Sequence, residues 1–138
     1  MGNKPFERGR AWVEVDLNAI THNLKEIRSK TPESCELMAV LKADAYGHGV
    51  DKIARRMIEE GVTAYAVATL AEGLQLRSFI NNEMILVLGR THPQDAVFLH
   101  DNNLTQIIID AAYAKELNDK GFRLNVHIAI NTQAYLQP

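Results

Sequence analysis

Five short apolar runs recur along the chain: Met38–Leu41, Ala64–Ala68, Met84–Leu88, Leu104–Ile109 and Leu124–Ile130. They lie roughly 20–25 residues apart, and a stretch with helical spacing follows each of the first four. Apolar runs this short and continuous are strands buried on both faces, and helices between them serve as crossovers, so the alternation demands an α/β fold with a parallel sheet. Both a (β/α) barrel and a doubly wound sheet satisfy the pattern, and periodicity does not separate them. The 138 residues amount to about one domain, with enough chain to bury a core.

Boundary signals fill in the rest. Residues 1–10 are polar, carry Lys4, Arg8 and Arg10, and read as a tail or linker ahead of one domain, or part of one, over 11–138. Ala11–Leu17 alternates apolar with polar residues, the mark of a strand with one wet face. Ile20, Leu24 and Ile27 then recur at helical spacing, with Asp16 or Asn18 as cap and Thr31-Pro32 as stop. Val50, Ile53, Ala54, Met57 and Ile58 make one helical face that Gly61 closes. Thr69 and Glu72 form a capping box, Thr91-His92-Pro93 opens another helical stretch, and Asp110 caps a helix ending at Gly121.

Composition narrows the function classes. Hydrophobic residues are 46% and charged residues 23%, as in soluble globular proteins, and the net charge of −2 gives no electrostatic case for nucleic acid or an anionic membrane. No apolar run approaches the roughly 20 residues of a membrane span, and the start lacks a secretory signal's apolar core. The expectation is a soluble, cytoplasmic chain. Cys35 is alone, which excludes an internal disulfide and a cysteine-based zinc site, fits a reducing compartment, and reads as a small buried hydrophobe. The five histidines show no metal-ligand spacing, and His127 on an apolar strand reads as a core residue; no metal is assigned. Neither a G-x-S-x-G motif nor a P-loop is present, and Gly47-His48-Gly49 lacks the third glycine and acidic partner of a dinucleotide fingerprint.

One residue stands out chemically. Met38–Leu41 delivers Lys42 to a glycine-containing strand-to-helix turn, and ligands of parallel α/β folds sit at the carboxyl ends of strands. A lysine there is placed to act as a nucleophile or Schiff-base former; equally, it caps a strand and snorkels to solvent. Asp44 is near enough in sequence to pair with Lys42, or is an exposed loop carboxylate. Tyr46 offers a phenol to an anion, or packs.

The segment Ala39-Val40-Leu41-Lys42-Ala43-Asp44-Ala45-Tyr46-Gly47-His48-Gly49 resembles the pyridoxal-phosphate lysine motif of the alanine racemase family, A-V-x-K-A-x-A-Y-G-H-G. Ala11–Leu17, Ala19-Ile20, His22-Asn23 and Ile85–Gly89 are similar to other parts of the family, so the resemblance runs from Ala11 to about Thr132. It implies that Lys42 holds pyridoxal 5'-phosphate as a Schiff base and is one of two acid–base groups flanking the α-carbon. Tyr46 would bind the cofactor phosphate, and Val40 and Leu88 would line the ring pocket. The substrate would be a small amino acid, L- or D-alanine or else serine, serving cell-wall precursor synthesis. The second base in the family is a tyrosine of the partner subunit, hence an expected homodimer.

The same resemblance implies a partial TIM barrel with about five of eight strands, the strand at Ala11–Leu17 belonging to a C-terminal β domain. A half-barrel of this kind has open sheet edges, and the alternative expectation is a non-catalytic module that binds cofactor weakly or not at all and associates through those edges. The end of the chain departs from the family's V-H-x-K-x-D-T-G-M-x-R-L-G: Ala129 stands at the lysine position and Leu136 at the arginine position, and from Gln133 the pattern is lost. A truncated or altered chain is expected. The family includes a membrane-anchored serine racemase linked to vancomycin resistance, and the basic start would suit a junction behind such an anchor or any soluble relative.

Overall fold

A computed structural model of the chain describes residues 12–130. The tail at 1–10 and the divergent residues 131–138 lie outside the described residues.

Five strands, β1 (Met38–Val40), β2 (Ala64–Val67), β3 (Met84–Val87), β4 (Thr105–Ile108) and β5 (Asn125–Ile128), form one sheet in the order β1-β2-β3-β4-β5, every pair parallel. This order separates the two architectures that periodicity left open. A doubly wound sheet reverses strand order at a switch point, whereas a barrel adds each strand beside the one before it. The sheet has no reversal and is a partial barrel. Helix α1 (Leu17–Ser29) precedes β1, and helices α3 (Val50–Glu59), α4 (Leu70–Arg77), α5 (Ala96–Asp101) and α6 (Ala111–Asn118) occupy the connections, with a short left-handed turn, α2 (Lys42–Gly47), directly after β1.

The strand residues sort by parity. Tyr65, Val67, Ile85 and Val87 are buried in a core with Leu24, Ile53 and Leu76 of the helices, so that face of the sheet carries the helical layer. The alternate residues Val40, Ala66, Leu86, Thr105 and Asn125 stand in one cross-strand row on the opposite face, the inner face of the barrel. A second cluster, Ala96, Ile108, Tyr113 and Leu117, holds α6 against β4.

Local signals act as their chemistry requires. Asp16, not Asn18, caps α1 by accepting the Asn18 N–H at 2.8 Å. Thr69 and Glu72 form the full capping box of α4, and Asp110 accepts the Tyr113 N–H at the start of α6. Pro93 begins a 3₁₀ turn (Pro93–Asp95) that leads into α5.

Three expectations are overturned. Residues 12–16 of the first apolar alternation are not a strand, and Trp12 and Val13 are exposed; a strand exists through its ladder, and no described strand lies beside this segment. Cys35 is exposed, because it sits in the turn closed by its own N–H to Pro32 O rather than in β1. His127 is exposed, since β5 is the last described strand and none of its four residues is covered. Ile27 falls in α1 as its spacing implies, and is exposed.

Candidate active site

Lys42 takes its position from its neighbours. Leu41 continues the ladder through its N–H to Ala66 O and is buried in the helix-side core, so Val40 before it projects to the inner face, and Lys42 opens the turn that follows directly. The same logic holds on β3: Val87 is in the helix-side core, and Leu88, whose N–H bonds Val67 O, turns inward. Val40 is 41% exposed and Leu88 37%, two apolar side chains left open on one face at the carboxyl ends of their strands.

Beyond Lys42 the backbone inverts its hand. Ala43, Asp44, Ala45 and Tyr46 all have φ of 52–54°, and Gly47 follows at 80°. A left-handed conformation costs roughly 1–2 kcal/mol for each residue with a Cβ, so four in a row need external support. Internally, Ala45 N–H bonds Leu41 O, Gly49 N–H bonds Asp44 O, and Ala45 is buried. Asp44 accepts the Val50 N–H at 2.8 Å, which makes its carboxylate a cap for α3. The turn sets the exposed Tyr46 ring 6.0 Å from Lys42 Nζ.

The acid that faces Lys42 is Glu72. One carboxylate oxygen accepts the Ala43 N–H at 2.9 Å; the other accepts Ala68 N–H at 2.7 Å and Thr69 N–H at 3.2 Å. Burial pushes the Glu72 carboxyl up, but these three hydrogen bonds and the Lys42 charge together hold it below the ordinary carboxylate range. Sequence reasoning found Glu72 only as a helix cap. The signal that it belongs to the site is topological: the capping box follows β2, the strand paired with β1.

Among the described residues no group of three or more His, Cys, Asp or Glu side chains could hold a metal ion. The arrangement offers an amine, a phenol and two open apolar side chains at one strand mouth.

The profile of the alanine racemase N-terminal domain matches residues 15–134. The chain belongs to the alanine racemase family. An amino-acid racemase of Enterococcus faecalis is 42% identical over 123 residues, 89% of this chain but 17% of that protein. Alanine racemase 1 of Caldanaerobacter subterraneus is 42% identical over 124 residues, 87% of this chain and 32% of its own length. The chain thus spans about a third or less of these racemases.

Solved racemases share the fold. The Bacillus anthracis alanine racemase with bound L-Ala-P superposes with a TM-score of 0.80 at 37% identity, over 90% of this chain and 33% of that one. The histidine racemase of Leuconostoc mesenteroides gives 0.73 at 35% identity, over 80% and 30%.

Proposed function

We propose that this chain is the cofactor-lysine part of a pyridoxal-phosphate-dependent amino-acid racemase acting on alanine. The observation that carries the reading is the position of Lys42, just past the carboxyl end of β1, with its amine beside the Tyr46 ring. The residues suit the group. Val40 and Leu88 leave apolar surface open where a flat ring would cover it, and the exposed Tyr46 phenol is free to donate to a phosphate oxygen.

Bound there, pyridoxal phosphate supplies an electron sink for the carbanion at the α-carbon. Lys42 would hold the group covalently and carry a proton to or from the α-carbon on one face. Glu72, held by three backbone N–H groups, opposes the Lys42 charge. Racemisation also needs a proton carrier on the other face, and we assign it to a tyrosine of a partner subunit, which makes the working enzyme a homodimer. Relatives described as alanine racemases favour alanine over serine, and D-alanine is a cell-wall precursor. No described helix is long and apolar enough to cross a membrane, and the exposed thiol of Cys35 suits the cytoplasm.

The test is to incubate the purified chain with pyridoxal phosphate, reduce with borohydride and map the modified peptide. Label concentrated on Lys42 is expected; label scattered over surface lysines overturns the reading. Interconversion of D- and L-alanine by the 138 residues alone would overturn the assignment of the second base to a partner's tyrosine.

A further inference from the structure

We infer that Glu72 is the positioning residue of Lys42: it clamps the left-handed turn to the β2–α4 junction and so fixes where the amine points. The proposal deepens the cofactor reading above and rests on it.

The clamp spans 29 residues of sequence. Ala43 is the first left-handed residue and directly follows Lys42 in the chain. A right-handed turn satisfies its amides by repeating i→i−4 bonds; this one begins where a strand ends, and the Ala43 N–H is taken up by a carboxylate from another element instead. Because the second oxygen of Glu72 is held by Ala68 and Thr69, the acceptor is fixed on both sides rather than hanging from a flexible side chain. Its charge lies close enough to Lys42 to be stabilised by it. An ordinary helix cap needs none of this: Thr69 Oγ1 already accepts the Glu72 N–H at 3.2 Å, and Asp110 caps α6 through a single local bond with no third element. The reach to Ala43 is what distinguishes Glu72.

That distinction supplies the experiment. Thr69→Ala removes the cap of α4 and leaves the Glu72 acceptors in place. Glu72→Ala removes cap, clamp and countercharge together; Glu72→Gln keeps the shape but sets an amide donor against a backbone donor. Each variant of the full chain is titrated with pyridoxal phosphate, trapped with borohydride, and read as the share of label on Lys42 against all other lysines. Losing a charge-assisted hydrogen bond should raise the dose for half-labelling of Lys42 about tenfold in Glu72→Ala and spread the label, while Thr69→Ala stays within about twofold of the parent.

Unchanged selectivity in both Glu72 variants overturns the proposal. Should Glu72→Ala lose its circular-dichroism signal, Glu72→Gln decides by the same ratio. Amide exchange in the unaltered chain is an independent measurement: the Ala43 N–H is expected to be protected, and free exchange there removes the clamp outright. If the unaltered chain does not label at Lys42 while Ala43 is protected, the cofactor reading fails and the clamp stands.

Discussion

The phenol of Tyr113 closes on both backbone groups of Thr91, accepting its N–H at 3.0 Å and donating to its carbonyl at 2.9 Å. Thr91 follows β3 and Tyr113 lies in α6, so one buried side chain ties the end of a barrel strand to the helix that follows the next strand. Arg90 lies over the ring at 4.9 Å and pairs with Glu116. Burial pushes the Tyr113 hydroxyl up, against the pull of the Thr91 N–H and Arg90, so it remains a donor at neutral pH. Tyr113→Phe keeps the ring and strands two buried backbone groups. A loss of about 1–3 kcal/mol is expected in urea unfolding, and an unchanged midpoint would contradict it.

Gly89 is required by space rather than by backbone angle. A Cβ there would meet the Ala68 carbonyl oxygen at 2.4 Å, a backbone atom that cannot turn aside. The Gly89 N–H bonds the same carbonyl, and its own carbonyl accepts from the buried Gln106 amide at 2.7 Å. Gly89→Ala must part β2 from β3 just beside Leu88. A drop of about 1–3 kcal/mol in stability is expected, measured by thermal unfolding.

Arg77 at the end of α4 binds four backbone carbonyls, of Asn81, Glu83, Asn102 and Asn103, and so staples the connection before β3 to the turn before β4. Lysine has neither the fork geometry nor the number of donors. Arg77→Lys should therefore recover less than half of the roughly 2–3 kcal/mol lost in Arg77→Ala, a comparison that denaturant titration of both variants makes directly.

Glu72 sets an acid limit. Its carboxyl titrates lower in the folded chain than in the unfolded one, so the stabilisation is full above the unfolded value of about 4.3 and is lost as pH falls through the folded value. The unfolding free energies of the parent and Glu72→Gln should differ at neutral pH and converge in acid. A gap that is constant with pH would show that the charge is irrelevant.

β5 is exposed along its whole length, its outer edge has no described neighbour, and Ile128 and Ile130 are 74% and 80% exposed. An open, apolar edge strand pairs with whatever edge it meets. Expressed as these 138 residues, the chain is expected to associate, and Ile128→Lys to shift it toward monomer in sedimentation. A monomeric parent would rule this out.

The sequence carried the strands well, because Ala64–Val67 and Ile85–Val87 are buried on both faces and have no polar positions to blur them. It could not carry strand order, which is a relation between runs; only the pairing of β2 with β3 and β3 with β4 told barrel from doubly wound sheet. Ala11–Leu17 misled because alternation marks a strand only where a neighbour completes the ladder. In the site, Lys42 and Tyr46 were legible from their motif. The left-handed hand of Ala43–Tyr46 was not, since alanine and tyrosine disfavour it and the support comes from Glu72, far along the chain.

A sheet whose strands pair only with their sequence neighbours also sets a schedule for folding. Each ladder closes a loop of one strand–helix repeat, Met38 to Ala64 and then Ala64 to Met84, so no strand must wait for a distant partner. As the chain leaves the ribosome, β1 and β2 can dock with α3 before β5 has been synthesised, and every later strand meets a ready edge.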